Sequence, residues 1–202
     1  ATGNASHVGG LVGYSDHASN YFNNNKIENI DINGGSAQDY GGVIGYSKGS
    51  IDVRKTNVNT AKITLNTGSN AGGLIGLIDE GTGYISDTIC NDVQVSFKSY
   101  ETYGGIVGFV RKSVQIQNTN MTDMKVDSSD NSSFIGGLVA HPNNCIIRDT
   151  YLDNYDINSY RMDNVGSILA YTDGNADIKN STILNSKITS DEGVDNIGCI
   201  AG

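Results

Sequence analysis

The sequence contains the run Gly9-Gly10-Leu11-Val12-Gly13, and closely related runs return at nearly constant intervals along the chain. The other six are Gly41-Gly42-Val43-Ile44-Gly45, Gly72-Gly73-Leu74-Ile75-Gly76, Gly104-Gly105-Ile106-Val107-Gly108, Gly136-Gly137-Leu138-Val139-Ala140, Gly166-Ser167-Ile168-Leu169-Ala170 and Gly198-Cys199-Ile200-Ala201-Gly202. Successive runs begin 30 to 32 residues apart. A fixed period of this size is typical of a solenoid, in which each repeat leaves an apolar face that only its neighbours cover.

The segments between the runs alternate apolar and polar residues with a period of two, which is typical of strands with one buried face. Six segments align, and three apolar positions return in each: Phe22, Val53, Ile85, Ile116, Ile147, Ile178; then Ile27, Val58, Cys90, Met121, Leu152, Ile183; then Ile32, Ile63, Val95, Val126, Ile157, Ile188. The pattern predicts an all-β parallel β-helix with roughly six coils of about 31–32 residues. We expect it to be right-handed, because right-handed crossovers dominate parallel connections.

A small polar residue stands between the first and second apolar positions of each segment: Asn25, Thr56, Thr88, Thr119, Thr150 and Ser181. We expect a ladder here, with hydroxyls bonding between coils or to a turn backbone. The glycine pairs are interpreted as corners, because glycine permits positive φ and close backbone approach. Neither Gly-x-Gly-x-x-Gly nor Gly-Lys-Ser/Thr occurs, which argues against a phosphate-binding loop.

The glycine runs resemble the GLUG motif, named for its Gly-Leu-x-Gly core. Gly10-Leu11-Val12-Gly13 and Gly73-Leu74-Ile75-Gly76 fit the core, and two further copies have Val43 or Ile106 in place of the leucine. The later copies depart from it, with Ala140 and Ala170 at the final glycine and Ser167 and Cys199 at the second. GLUG-type repeats are regions of large secreted or surface proteins, including adhesin-like bacterial proteins and metallopeptidases that cleave immunoglobulin A1. The resemblance implies a parallel β-helix in an extracellular setting, with no catalytic residue in the repeats.

Composition and charge narrow the classes of partner. The net charge of −9 disfavours nucleic acid and anionic membranes. No stretch approaches the ~20 apolar residues of a membrane-spanning helix, so we expect no membrane insertion. The repeat runs without a shift in composition, which predicts one domain over residues 1–202. Without an initiator methionine, and with the last run at the very end, the chain is expected to be a piece of a longer polypeptide.

Catalytic patterns are few. His-Glu-x-x-His is absent, and the only histidines are His7, His17 and His141. Asp92 and Asp123 fall at one outward position on successive coils, where stacking would separate them by about 5 Å, as in a retaining glycosidase. The alternative is a solvated ladder, because the same row contains Asn29, Thr60, Asn154 and Asn185, and a second row contains Asp87, Asn118 and Asp149. We favour the ladder and predict no catalytic residues.

No metal or cofactor is predicted either. Cys90, Cys145 and Cys199 lack metal-binding spacing and are interpreted as small buried side chains. The segment Asp173-Gly174-Asn175-Ala176-Asp177 has the opening spacing of an EF-hand loop. Its sixth and twelfth positions are Ile178 and Leu184 instead of glycine and glutamate, which argues against specific calcium binding.

One position directly after each glycine run is rich in rings, and we call it the ring row: Tyr14, Tyr46, Leu77, Phe109, His141 and Tyr171. It predicts a partly buried stack along one edge of the rod. A sugar-binding strip of tyrosines is the functional alternative, which Leu77 and Phe109 weaken. Candidate N-glycosylation sites are Asn4, Asn120, Asn131 and Asn180. Asn131 is favoured because it is expected in a loop over Asp127–Ser133.

These patterns predict a non-enzymatic extracellular or cell-surface β-helix that serves as a stalk, spacer or adhesive segment. Its partners would be an extracellular or cell-surface protein or glycan, flanking parts of the same polypeptide, or another copy stacked end to end. One alternative is a non-catalytic region of a secreted metallopeptidase or of a carbohydrate-active β-helix enzyme. Another is the subunit of a self-assembling extracellular filament, because bare coil ends invite strand pairing.

Overall fold

The computed structural model describes residues 5–198 and residue 200. These residues form 21 strands and no helix, and every recorded strand pair is parallel. The chain winds as a β-solenoid of about six coils. The predicted all-β parallel solenoid is therefore confirmed.

Each of the first three coils contains four strands. The first coil has β1 (Ala5–Gly9), β2 (Val12–Ser15), β3 (Ser19–Asn23) and β4 (Lys26–Asn33). The second has β5 (Ala37–Gly41), β6 (Ile44–Ser47), β7 (Ser50–Arg54) and β8 (Asn57–Thr64). The third has β9 (Thr67–Gly72), β10 (Ile75–Ile78), β11 (Gly83–Ser86) and β12 (Ile89–Phe97).

Later strands run through bends that separate strands in the early coils. They are β13 (Ser99–Gly104), β14 (Val107–Gln117), β15 (Asn120–Gly136), β16 (Val139–Arg148) and β17 (Tyr151–Gly166). The last four are short: β18 (Ala176–Lys179), β19 (Thr182–Leu184), β20 (Lys187–Ser190) and β21 (Val194–Gly198).

The solenoid has four sides, which we number by the first coil, so that β1, β2, β3 and β4 lie on the first to fourth sides. Equivalent residues pair coil to coil on every side. On the third side Ile85 pairs with Val53 below and Ile116 above. On the fourth side Val95 pairs with Ile63 and Val126. Residues one repeat apart in the sequence are therefore paired in the sheet, and each side chain stacks on the equivalent side chain of the next coil.

The core fills the space between the four sides. Thirteen of the eighteen apolar positions that the sequence pattern placed inward are buried there, including Ile85, Ile116 and Val126, which are fully covered. The other five are half-buried and lie in the first and last coils: Phe22, Ile32, Ile178, Ile183 and Ile188. Cys90 and Cys145 are buried as expected, whereas Cys199 lies outside the described residues. Tyr40 and Tyr103 are also fully buried, and their hydroxyls have no hydrogen-bond partner within the described part of the chain.

The predicted ladder of small polar residues is confirmed in both of its forms. The Thr88 and Thr119 hydroxyls each donate to the carbonyl oxygen two residues earlier, at 3.0 Å. The Thr150 hydroxyl instead donates to Ser181 Oγ of the next coil, at 2.8 Å. Since Thr56, Thr88 and Thr119 are fully buried, these bonds satisfy hydroxyls that water does not reach.

Left-handed backbone occurs twice in each of the six coils, and nine of the twelve residues are ones that the sequence pattern had placed in outward rows. The first row lies directly before the ladder residue and contains Asn24, Lys55, Asp87, Asn118, Asp149 and Asn180. The second row lies within the fourth-side strand and contains Asn29, Thr60, Asp92, Asp123, Asn154 and Asn185. All twelve have φ between 48 and 56°. Asparagine and aspartate tolerate this conformation better than other non-glycine residues. The left-handed backbone conformation therefore explains why asparagine and aspartate recur in these rows.

The glycine pairs do not use positive φ, so that part of the corner interpretation is wrong. Gly193 is the one glycine in the described ranges with positive φ. The other part, close backbone approach, is confirmed. A Cβ on Gly41 would overlap Ile44 O, and a Cβ on Gly73 would overlap Gly105 O of the next coil.

The second-side strand shortens at the sixth glycine run. In the run that contains Ser167 and Ala170, the second-side strand shrinks to an isolated bridge between Leu169 and Val139. Ser167 itself is buried. Beyond it, residues 171–198 are mostly exposed or half-buried, in contrast to the covered middle coils.

Candidate functional site

A groove runs along the solenoid axis on the outer surface, between the first and second sides. Outward side chains of the two sides converge across the glycine corner and touch. The His7 ring lies 5.3 Å from the Tyr14 ring and 4.8 Å from the Tyr46 ring, between centroids. Phe134 and His141 make the same contact at 4.9 Å near the other end. The corner is therefore concave on its outside.

The glycines explain this concave shape. The second glycine of each pair faces the core: a Cβ on Gly73 would lie 3.7 Å from Met124 Cε, and one on Gly137 would lie 2.9 Å from Leu152 Cδ2. On the strand after the corner, a Cβ on Gly45 would lie 2.7 Å from Val8 N. Without side chains at these positions, the two sides approach closely and the corner folds toward the core. We call the resulting cleft the axial groove.

One row, two residues before the first glycine of each run, contains His7, Asp39, Asn70, Thr102, Phe134, Asn164 and Asn196. We call it the floor row, because its first four members line the floor of the axial groove. Backbone pairing holds its members in register, as for His7 with Asp39 and Asn70 with Thr102. The opposite wall is the ring row, likewise in register from Tyr14 through His141.

A hydrogen-bonded chain joins four floor residues across four coils. His7 Nδ1 lies 2.7 Å from Asp39 Oδ2, and Asn70 Nδ2 donates to Asp39 Oδ1 at 2.7 Å. The Thr102 hydroxyl donates to Asn70 Oδ1 at 2.9 Å. Asp39 is only 3% exposed, and Thr102 only 2%. The chain fixes the orientation of each polar group, as buried networks do when every member has a partner.

The Asp39 carboxyl is the titratable group deepest in the floor. Burial raises its pKa, and the hydrogen bonds from Asn70 and His7 offset part of that rise. The charged form is therefore disfavoured by desolvation and favoured by two donors. Asp39 acts as an acceptor that is already engaged on both oxygens.

The ring wall has two aromatic clusters with an aliphatic gap. Tyr14 and Tyr46 stack with centroids 5.0 Å apart and planes at 11°. At the other end His141 touches Phe109 and Tyr171, at 4.9 and 5.0 Å. Leu77 lies between the clusters and is buried. The predicted stack is thus confirmed in part: it is interrupted at Leu77, and His7 and Phe134 of the floor row complete its two ends.

The rim is charged, and Asp79 is paired on both of its carboxylate oxygens. The Tyr46 hydroxyl donates to Asp79 Oδ2 at 2.7 Å, and Arg111 Nε donates to Asp79 Oδ1. Burial and the bond to Asp79 raise the pKa of Tyr46, so its hydroxyl stays protonated. Glu101 is exposed at the rim of the same cleft. The axial groove has a volume of about 470 Å³, in the range of sites for small organic ligands.

The candidate glycosidase pair lies away from this groove, on the fourth side. Both Asp92 and Asp123 occupy left-handed positions. Asp123 Oδ1 accepts from Asn154 Nδ2 at 2.6 Å, and Asp92 Oδ1 accepts from Gln94 Nε2 at 3.2 Å. The bond to Asn154 joins successive coils and fits the Asn/Asp ladder, whereas the bond from Gln94 lies within one strand. The second row forms the same links, from Asn118 to Asp87 at 3.3 Å and from Asn180 to Asp149 at 3.2 Å.

The segment that resembles the start of an EF-hand has its carboxylates engaged by other side chains. Asp173 Oδ2 lies 2.9 Å from His141 Nε2. Asp177 accepts from Arg148 at 2.8 Å and from Lys179 at 2.9 Å. Among residues 5–198 and 200, no group of three or more histidine, cysteine or acidic side chains converges in a way that could hold a metal ion.

The candidate glycosylation sites differ in setting. Asn120 and Asn180 are exposed, the latter in a left-handed turn. Asn131 is also exposed, but the expected loop over Asp127–Ser133 is wrong. These residues belong to β15, and the extra residue appears only as a register shift against β17 between Ser128 and Asn131. Asn4 lies outside the described residues.

The floor row is the feature that the sequence analysis missed. Its position, two residues before each first glycine, recurs as regularly as the glycines themselves. Its residue types vary from histidine to phenylalanine, so no composition signal marks it. The repeat period alone, applied to every outward position, would have found it.

Comparison of the chain with protein-family models, curated proteins and solved structures returned no match. The GLUG interpretation thus stays a resemblance read from the glycine runs. Across the described ranges, no helix is long and apolar enough to cross a membrane.

Proposed function

We propose that this chain is a non-enzymatic, extracellular β-solenoid that acts as a spacer and adhesive segment and binds its partner through the axial groove. The observation behind this proposal is the groove itself, with a fixed polar floor and aromatic clusters on the facing wall. Outward positions rich in rings, set beside a few oriented polar groups, are the usual makeup of a binding site.

The state of the polar groups favours binding over catalysis. General acid–base chemistry needs a carboxyl or imidazole that is free to reach the reacting atom. In the groove, Asp39 accepts from Asn70 and bonds with His7, while Asp79 is held by Tyr46 and Arg111. These groups orient one another and present a rigid surface.

The extracellular setting is supported by the polar, acidic exterior and by the resemblance to repeats of surface proteins. A net charge of −9 favours solubility and disfavours nucleic acid. The coil-on-coil register supports the spacer role, because a stack of paired strands transmits load along its axis through backbone hydrogen bonds.

The test is adhesion of beads that carry the 202-residue protein to fixed epithelial cells and fixed bacterial cells. We expect retention above that of albumin-coated beads on at least one surface. Glu101→Trp should abolish retention, because it fills the groove from an exposed rim position. Gln94→Trp is the matched control, since it adds the same ring to an exposed position on the fourth side.

Three results would overturn the proposal. The first is equal loss of retention in Glu101→Trp and Gln94→Trp. The second is no retention of the wild-type beads on either surface. The third is catalytic turnover by the purified protein, measured as release of reducing ends from polysaccharides or of peptides from casein.

A further inference from the structure

We propose that the axial groove binds a neutral, linear saccharide chain lying along the solenoid axis. This assignment names the ligand class of the proposed adhesive function and rests on it. Sugar rings have apolar C–H faces and a rim of hydroxyls that both donate and accept hydrogen bonds. The groove offers matching groups on its two walls, with rings on one side and amide, carboxylate and hydroxyl groups on the other.

The ring wall provides the apolar half. Tyr14 is 51% exposed and stacks on Tyr46, so the pair presents a broad face at one end of the groove. Phe109, His141 and Tyr171 provide the second cluster, three to five coils along. Tyrosine suits such positions because its ring is apolar and its hydroxyl can form a hydrogen bond, as that of Tyr46 does with Asp79.

The floor provides the polar half, and its geometry is fixed before any ligand arrives. Asn70 uses one amide hydrogen on Asp39 and its oxygen on Thr102, which leaves the second amide hydrogen as a donor. Side chains that are already oriented lose little conformational entropy on binding, so each hydrogen bond to a ligand hydroxyl contributes more to the binding free energy.

A linear polymer fits better than a compact ligand, because the same two rows recur on successive coils. Stacked strands are spaced at about 4.8 Å, so the groove presents one floor residue and one ring-row residue at each such step. The cleft around Asp39, Asn70 and Thr102 spans three consecutive coils. An extended chain can contact all of them at once.

An extended peptide is the main rival, and the backbone disfavours it. Peptides that lie along sheets gain most of their affinity by pairing with a free strand edge. The groove strands have no such edge, because β5 pairs with β1 and β9, and β13 pairs with β9 and β15. A peptide would have to rely on side chains alone.

The charges select a neutral chain over an acidic one. Asp79 and Glu101 stand at the rim, and Asp39 lies in the floor. The one arginine lining the groove, Arg111, is paired with Asp79. A polymer of uronic acids would therefore meet the negative charge of Glu101, for which no ion pair is recorded among the described residues.

The experiment measures binding of the purified 202-residue protein to defined polysaccharides by affinity electrophoresis and calorimetry. The neutral set is mannan, xylan, laminarin and chitin hexasaccharide; the acidic set is polygalacturonate and alginate. We expect at least one neutral polymer to bind. Tyr46→Ala should weaken it about tenfold or more, as loss of an aromatic anchor does. Glu101→Trp should abolish binding.

Controls separate loss of the site from loss of fold. Tyr21→Ala removes an equally large ring that is 75% exposed on the third side, and it should leave the Kd unchanged. Thermal unfolding of each variant identifies any that fails to fold. Glu101→Lys retains the open groove and reverses one charge, so it should improve binding of polygalacturonate.

Three outcomes overturn the saccharide assignment: no neutral polymer binds, the acidic set binds more tightly, or Tyr21→Ala weakens binding as much as Tyr46→Ala. Failure of this inference is distinguishable from failure of the adhesive function. If beads still adhere through the groove while mannan, xylan, laminarin and chitin hexasaccharide are all present in solution at saturating concentration, the adhesive function stands and the saccharide assignment falls. If a neutral polysaccharide binds in the groove but the beads do not adhere to cells, the saccharide assignment stands and the adhesive function falls.

Discussion

At the scale of single residues, the backbone conformation decides which side chains recur on the outside of the coils. Asparagine or aspartate occupies ten of the twelve non-glycine positions with positive φ in the described residues, and Lys55 and Thr60 are the other two. Asp92 and Asp123, which first suggest a catalytic carboxylate pair, belong to these rows. Their residue type is therefore explained by the left-handed backbone, and no catalytic role is needed to account for it.

Thr60 is the least suitable of these residues, because a β-branched side chain crowds the left-handed region. We expect Thr60→Asn to raise the free energy of unfolding by about 1 kcal/mol. The reciprocal change Asn29→Thr, on the coil below in the same row, should lower it by a similar amount. Both positions are exposed, so loss of packing does not confuse the comparison. Thermal and guanidinium unfolding give the values, and a lower melting temperature for Thr60→Asn would contradict the explanation.

At the scale of the element, the glycine corner is a device for bringing two backbones together. The sequence predicts that a corner is present and where it lies, because the runs are periodic. It does not predict the direction of the bend. That direction depends on which atoms face each missing Cβ, such as Gly105 O and Met124 Cε around Gly73.

A methyl group at the corner should therefore be costly. We expect Gly73→Ala to lower the free energy of unfolding by about 3 kcal/mol or more, since the new Cβ would overlap a backbone carbonyl that cannot rotate away. Gly34→Ala is the control: its Cβ would lie 3.3 Å from Leu65 Cδ2, the end of a flexible side chain. Circular dichroism during guanidinium unfolding measures both. Equal effects of the two substitutions would refute close approach as the role of the corner.

At the scale of the whole molecule, the period predicts the solenoid, the coil number and the inward positions. Ile85, Val95 and Thr88 lie where the pattern places them. The axial groove could not be predicted in the same way, because it depends on residues from two sides that converge only after the corner has folded. His7 and Tyr46 are 39 positions apart in the sequence, and their rings are in contact.

Labelling of the two described cysteines, Cys90 and Cys145, can test whether single coils of the solenoid open while the rest stays folded. Burial raises the pKa of Cys90 to about 12, and burial together with the charge of Asp177 raises that of Cys145 to about 11. Few thiolates exist at pH 8, so in a Cys199→Ser background we expect no reaction with a disulfide reagent until denaturant unfolds the chain. At pH 9 both thiols should still be almost entirely protonated and covered by the coils, so we expect native labelling to remain negligible. Rapid labelling of one cysteine under native conditions would show that its coil opens separately.

The strict coil register has a consequence for how such a surface changes in evolution. Each segment of about 32 residues contributes one position to the floor row and one to the ring row. Duplication of a segment would lengthen the groove by one step of about 4.8 Å without disturbing the contacts on either side. Loss of a segment would shorten it equally cleanly. The length of groove that contacts a ligand can thus change only by whole repeats, whichever side chains occupy the floor row and the ring row.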